Sequence, residues 1–325
     1  MTLMKTVFLA FCPALLAGVP SIAFADESTE PAVRSFVLKY EVILQNIEGP
    51  TQVWLPEPVS DDWQQVTLRA SNSPVVPVLN REERYGNSMT WYDVRNAEGN
   101  VYLSRSWEVR RYEVLTAAAK GRPVAPASLR QFLKPGRLVP VSGRPLELIR
   151  GLQLPQEPYS IARILYDRVD EYVTYDKSQP GYGNGDTLWV CDSRTGNCTD
   201  FHSLFLALAR SQKIPSRFEI GFPLPAAASG VIPGYHCWAS FHDAGRGWVP
   251  VDISEADKHP ELKEYYFGSL TADRIRFSTG RDINLVPRQS AEPLNYFVYP
   301  HVENNGQVVP KEQIRLRVSY EDIPD

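Results

Sequence analysis

Between Phe36 and Leu44 every second residue is apolar: Phe36, Leu38, Tyr40, Val42 and Leu44 fall on one side, with Lys39 and Glu41 between them. A period of two predicts a half-buried strand. Shorter apolar runs follow at Val53-Trp54-Leu55, Val66-Thr67-Leu68, Met89-Thr90-Trp91 and from Val101 to Val114. Gly86-Asn87 and Glu98-Gly99-Asn100 supply turns between them. Pro56, Pro58, Pro74 and Pro77 exclude long helices here, because proline has no N–H to donate and clashes with the preceding turn. Residues 26–115 therefore read as an all-β, sandwich-like domain with Trp54, Trp91 and Trp107 in its core.

The pattern then changes. Proline and glycine recur through 116–150, which reads as a connector. After Pro158, a good first helical residue, Ile161, Ile164, Leu165, Val169 and Tyr172 share one face of a helix. A glycine-rich loop runs from Pro180 to Gly185. Beyond it Phe201, Leu204, Phe205 and Leu208 follow the i, i+3, i+4, i+7 spacing of a second helix. Asn197 is a suitable N-cap, and Asp200 has the position of the acidic half of a capping box. Cys198 then lies in the first turn, three residues before Phe201, and faces the protein. Strands are expected at Arg217–Phe222, Tyr235–His242 and Trp248–Ile253, the last two joined as a hairpin by Gly245-Arg246-Gly247. Further strands at Arg274–Phe277 and Tyr296–Val302, and a turn at Asn304-Asn305-Gly306, complete 151–325 as an α+β domain with C-terminal strands.

Length and composition add constraints. The 325 residues suffice for two domains, and 43% apolar with 22% charged residues is ordinary globular material. A formal charge of −4 without a basic stripe gives no footing for nucleic acid. The first residues resemble a secretory leader, 1–25. Lys5 is the one charge before Asp26, Val7–Leu16 is an apolar core, and Ala23-Phe24-Ala25 fits a cleavage site. That core is shorter than the ~20 residues a membrane span needs. A periplasmic or secreted protein without stable membrane insertion is expected, cleaved after Ala25. Cleavage removes Cys12 and leaves Cys191, Cys198 and Cys237. An odd count in an oxidising compartment leaves a free thiol or an intermolecular bridge, and Cys191 with Cys237 is the candidate disulfide.

A thiol is a nucleophile as its thiolate, and the unpaired N–H groups of a helix N-terminus stabilise that anion. Cys198 has this placement. His236 is the best base, on a strand where it shares a face with Trp238 and Ser240 while Cys237 takes the other. If the turn pairs His242 with Trp248, Trp238 lies opposite Asp252, and His236 is a diagonal neighbour of Asp252 at ~7–8 Å between backbones. Asp252 can then orient the imidazole. A zinc site built from the same cysteines and His236 is disfavoured, since no C-x2-C pair exists and His236 and Cys237 point to opposite faces. No metal and no cofactor is expected. Trp238, Trp189 and Tyr182 are the candidate substrate-contacting aromatics, against packing as the commoner fate of such side chains. The backbone N–H of Cys198 is a natural oxyanion donor, with Trp189, Tyr175 or Tyr182 as candidates for a second.

Gly196-Asn197-Cys198-Thr199-Asp200-Phe201-His202-Ser203-Leu204-Phe205, followed by Arg210, Ile214-Pro215-Ser216-Arg217 and Gly221, resembles the catalytic-cysteine helix and next strand of transglutaminase-like proteins. Gly234-Tyr235-His236-Cys237-Trp238 resembles their histidine strand, and Gly247-Trp248-Val249-Pro250-Val251-Asp252 their aspartate strand. The resemblance covers about Tyr159 to Phe267. It implies a papain-like α+β core with the cysteine at a helix N-terminus packed on an antiparallel sheet. It further implies that Cys198 is the nucleophile, His236 the general base and acid, and Asp252 the orienter. The implied reaction passes an acyl group from an amide, through a thioester, to water or an amine. A peptide or protein substrate, of the cell envelope by the expected compartment, follows as the partner. The alternative is a catalytically silent binding or scaffold module of the envelope.

Overall fold

A computed structural model describes residues 30–116 and 124–324. The expected leader lies outside the described residues, as does the 117–123 part of the expected connector. The alternating segment is one long strand, β1 (Val33–Glu57), and Phe36, Leu38, Tyr40, Val42 and Leu44 are all fully buried. It bends where Asn46 and Gly49 adopt positive φ, 53° and 87°, beside shifts in register against its neighbour. β2 (Gln64–Asn72) and β3 (Val78–Arg81) follow, and then β4 (Ser88–Tyr112), which pairs with β1 along almost its whole length. β2 and β3 close the far side of β4. The short β5 (Val114–Leu115) and a turn of helix, α1 (Pro126–Leu129), lead toward the second region.

That region opens with α2 (Pro158–Tyr172), β6 (Thr174–Tyr175), α3 (Thr187–Ser193) and β7 (Thr195–Gly196). At its centre stands α4 (Cys198–Ser211), in which every residue from Cys198 to Arg210 is buried. The sequence predicts one apolar face, but the helix is enclosed on all sides. It is packed against α2, α3 and α5 and lies on the sheet. Leu206, Ala207 and Ala209 make the remaining faces apolar enough for this. The sheet comprises β8 (Ser216–Pro223), β10 (His236–Asp243), β11 (Gly247–Val251) and β13 (Arg274–Thr279), in the order β11-β10-β8-β13. Between these strands come β9 (Ser229–Ile232), α5 (Ile253–Lys258) and β12 (Ser269–Leu270). The β10–β11 hairpin pairs His242 with Trp248, the expected register, and runs to Ala239 opposite Val251.

The C-terminal strands β14 (His301–Asn304), β15 (Gln307–Val308) and β16 (Ile314–Asp322) do not extend the second sheet. β16 pairs with the first half of β1 and β14 with the second half, on the side that β4 leaves open. β9 then adds to β16, which gives an eight-stranded antiparallel sheet. Sequence division assigns 151–325 to one domain, whereas strand pairing returns 301–322 to the N-terminal sheet. The reason is the unpaired edge of β1, whose backbone donors and acceptors need a partner. The two sheets meet through Tyr40, Phe222, Phe277 and Trp107, with Tyr40–Phe277 and Trp107–Phe277 ring centroids 5.9 and 5.7 Å apart. The described residues from 31 to 324 form one compact unit.

Candidate active site

The helix that carries Cys198 is fixed at its start by its own sequence. Asn197 Oδ1 accepts from the Thr199 N–H at 2.8 Å, and Asp200 Oδ2 accepts from the Asn197 N–H at 2.9 Å. These bonds satisfy donors that the helix cannot pair internally. The Asp200 carboxylate also takes the N–H groups of Gly183 and Gly185, at 2.7 and 2.9 Å, and so ties the glycine-rich loop to the helix. Burial pushes its pKa up to about 6, and the three backbone donors oppose that shift. Gly196 has no alternative here, because a Cβ would sit 2.4 Å from the Asp200 side chain. Arg281, 5% exposed, braces the loop from outside, with bonds to Asn184 O, Gly185 O and Ser203 Oγ.

His236 opens β10. Its Nε2 lies 2.7 Å from Asp252 Oδ2, which leaves Nδ1 for Cys198. Asp252 follows β11 directly and caps α5, where Oδ1 accepts from the Glu255 N–H at 3.2 Å. Arg274 Nη1 donates to Oδ2 at 2.8 Å. Burial alone would raise the Asp252 pKa, but His236 and Arg274 outweigh it and hold the carboxyl well below its usual range. Burial also works against a charged His236, yet Asp252 and Cys198 carry its pKa up to about 9. Burial opposes the Cys198 thiolate as well. The Cys237 thiol and the His236 imidazole, both in contact with Cys198, pull its pKa well below that of a free thiol. The arrangement favours a thiolate–imidazolium pair.

His202, one turn after Cys198, is fully buried, with Nδ1 at 2.6 Å from Cys198 O. Its Nε2 accepts from the Ile253 N–H at 3.0 Å. An accepting Nε2 and a donating Nδ1 define one neutral tautomer, in line with a pKa lowered by burial. The ring thus joins the first turn of α4 to the residue after Asp252. Tyr235 packs on the other side of the cap, its hydroxyl 3.0 Å from Asn197 Nδ2 and 2.8 Å from Thr199 Oγ1.

Residues 147–253 match the family model of the transglutaminase-like superfamily, a span that includes Cys198, His236 and Asp252. This chain carries a transglutaminase-like core. An uncharacterised protein of Haemophilus influenzae is 26% identical to the chain, over 92% of it and 95% of the relative. The crystal structure of a candidate cysteine protease from Cytophaga hutchinsonii superposes with a TM-score of 0.60 at 14% identity. That match covers 90% of this chain and 92% of the other, so the likeness of fold extends beyond the core to the N-terminal sheet. The periplasmic domain of TgpA from Pseudomonas aeruginosa matches with a TM-score of 0.35 at 16% identity, over 74% of this chain and 76% of that one.

Within the transglutaminase-like core, Cys198, His236 and Asp252 are brought together. Other expected positions are not. Trp238 is 1% exposed and donates from Nε1 to Glu219 at 3.2 Å. Its face of β10 is covered by Val114, Leu270 and Trp63, so it packs and offers nothing to a substrate. Trp189 packs against Gly181 in the glycine-rich loop, and Tyr182 is exposed on that loop. A cavity of about 470 Å³ opens beside His236, lined by Tyr175, Leu224, Tyr235, Lys258 and Tyr266 among others, with neither Trp189 nor Tyr182 in its wall. The Cys191–Cys237 disulfide is not formed, and Cys191, Cys198 and Cys237, the cysteines among the described residues, are free and buried. The Cys237 thiol is directed at α4, 3.7 Å from Thr199 Oγ1 and 3.8 Å from His202 Nδ1. His236, Asp252 and Glu255 place metal-ligand types of atom within 4.8 Å of one another, but Arg274 and His236 already neutralise Asp252. Among the described residues no helix is long and apolar enough to cross a membrane.

Arg274 and Tyr235 escape sequence reasoning. Tyr235 had a signal in its place next to His236. Arg274 had none, because it reaches Asp252 from a strand 22 residues away.

Proposed function

We propose that the chain is an exported cysteine enzyme that cleaves or transfers amide-linked acyl groups through a thioester on Cys198. The observation that carries this reading is the contact of a helix-capped thiol with an imidazole whose far nitrogen is held 2.7 Å from a buried carboxylate. The Cys198 thiolate adds to the amide carbonyl carbon, and the oxyanion is met by the Cys198 N–H at the start of α4. This is the donor that α4 offers, since the next N–H groups are held by Asn197. As the C–N bond breaks, the imidazolium of His236 gives its proton to the departing amine. Water or a second amine then attacks the thioester and gives its proton to His236. The new acid or amide leaves, and the thiolate returns. Asp252 keeps one ring orientation throughout, and His202 and Tyr235 position the helix turn. The cavity beside His236, at about 470 Å³, is of a size to take a side chain of a peptide substrate.

Alkylation of Cys198 by iodoacetamide, followed by peptide mass mapping, tests this. At pH 6.5 a thiol with a pKa of ~8.5 is only about 1% ionised. Cys198 should react at least about 10-fold faster than a free cysteine there, since its ionisation outweighs its lower intrinsic nucleophilicity. His236→Ala should remove that advantage. Equal rates for Cys198 and free cysteine across pH 5–9 would refute the reading.

A further inference from the structure

On the face of β10 away from Cys237, Trp238 and Ser240 look toward the N-terminal sheet. A cavity of about 30 Å³ lies between them and that sheet. Five charged side chains line it: Asp61 and Arg111 from the N-terminal region, and Arg217, Glu219 and Arg276 from the core sheet. Three cations face two anions there. Both anions are already engaged. Asp61 pairs with Arg276 at 2.6 Å, and Glu219 pairs with Arg217 at 3.1 Å while accepting from Trp238 and Ser240.

Arg111 is left over. It is 3% exposed, and its one hydrogen bond among the described residues runs from Nη1 to Trp63 O at 3.3 Å. Its Nε has no partner, nor has the Nε of Arg217. A buried guanidinium that is aided by Asp61 and Glu219 only through space, both being paired with other arginines, is costly. Burial lowers the Arg111 pKa to about 10, so the charge persists at neutral pH. The cavity exceeds the ~10–15 Å³ that one water needs and takes one small ion. Surplus charge, unpartnered donors and volume coincide.

We propose that this cavity binds one small inorganic anion of the chloride class, held by Arg111 and Arg217. The ion would cancel the surplus charge and join the N-terminal sheet to the strand that bears His236. It binds the folded chain alone and therefore stabilises it by mass action.

The test is thermal unfolding of the mature chain in sodium chloride against sodium gluconate at equal ionic strength, gluconate being too large to enter. Chloride at about 0.2 M should raise Tm by about 2 °C, with saturation and with bromide acting alike. Arg111→Met should fold and lose the difference between the salts. If that variant does not fold, Arg217→Met serves in its place. Anomalous scattering from crystals grown in bromide should show the ion in the cavity. Coincident Tm curves in the two salts, a salt difference that survives Arg111→Met, or water alone in the bromide crystal would each overturn the proposal.

Discussion

Two neighbouring buried charge clusters lie along β10 and are completed differently. Around the catalytic candidates, the Cys198 thiolate, His236, Asp252 and Arg274 sum to zero, and Asp252 is bonded to both cations, at 2.7 and 2.8 Å. Further along the strand, beyond Trp238, three arginines face two carboxylates, and Arg111 has one side-chain hydrogen bond among the described residues. A cluster balanced in charge is preorganised even though the Nε of Arg274, like that of Arg111, has no partner among the described residues, and this suits proton transfer at fixed atoms. An unbalanced one has a use for something the chain does not supply. The difference lies in who contributes the groups. The balanced cluster comes entirely from 198–274, whereas the other is assembled across the contact between the two sheets.

The comparison is most sharply broken at Asp252. Asp252→Asn strips the partner from His236 and Arg274 and leaves buried charge uncompensated, which should cost about 3–5 kcal/mol in urea unfolding at pH 7. The pH dependence has a definite sign. The folded pKa of Asp252 lies below its unfolded value of ~3.9, so its contribution is present above that pH and is lost as pH falls through the folded pKa. The variant should lack this acid limb. A loss below about 1 kcal/mol would mean that the cluster is not balanced through Asp252.

A smaller effect is expected from Cys198→Ala, and it appears as a slope. His236 has a folded pKa of about 9, so its contribution is complete below ~6.5 and is lost as pH rises through 9. Cys198 has a depressed pKa, so its contribution is present above the unfolded ~8.5 and is lost as pH falls through the folded pKa. Between about pH 6.5 and 8.5 the folded pair and the unfolded chain bind the same number of protons, and stability is flat. Removing the thiol leaves the His236 limb alone. Because the thiol also helps to raise the His236 pKa, that limb shifts to lower pH in Cys198→Ala, and stability should fall by at most about 2 kcal/mol across that window, as measured by urea titration at each pH. Parallel profiles for both proteins would show that the thiol and the imidazole are not coupled.

Legibility from sequence divides along the same line. Cys198, His236 and Asp252 can be read because local rules place them. Asn197 and Asp200 start the helix, and Gly245-Arg246-Gly247 sets the register that puts His236 near Asp252. For Trp238, a candidate substrate contact with packing as its commoner fate, the face is legible and the degree of burial is not. Alternation puts it on the His236 side of the strand, but alternation does not say that Trp63, Val114 and Leu270 cover that side one residue pair further on. An odd count makes Cys237 a candidate for a bridge to Cys191, but counting is blind to direction: its thiol points at Thr199 and His202. The C-terminal strands were read as strands, but their partner was decided by the open edge of β1, some 260 residues earlier. Arg111 and Arg274 are invisible for the same reason, since each matters only through groups brought from distant parts of the chain.

The smallest expected effect is at Arg111, and it bears on the comparison as strongly as the largest. In gluconate, where no small halide is present, Arg111→Met replaces a poorly compensated buried cation by an apolar side chain of similar length. Burial already disfavours the charge, and the described residues return one hydrogen bond to Trp63 O at 3.3 Å and the through-space attraction of Asp61 and Glu219, which are paired elsewhere. The exchange should therefore change stability by no more than about 1 kcal/mol, in either direction, in urea unfolding. The same cluster should respond very differently to Glu219, which accepts from Trp238 and Ser240 and pairs with Arg217. If Arg111→Met were instead as damaging as Asp252→Asn, Arg111 would be as well compensated as the catalytic candidates, and the cavity beside it would have no surplus charge with which to hold an ion.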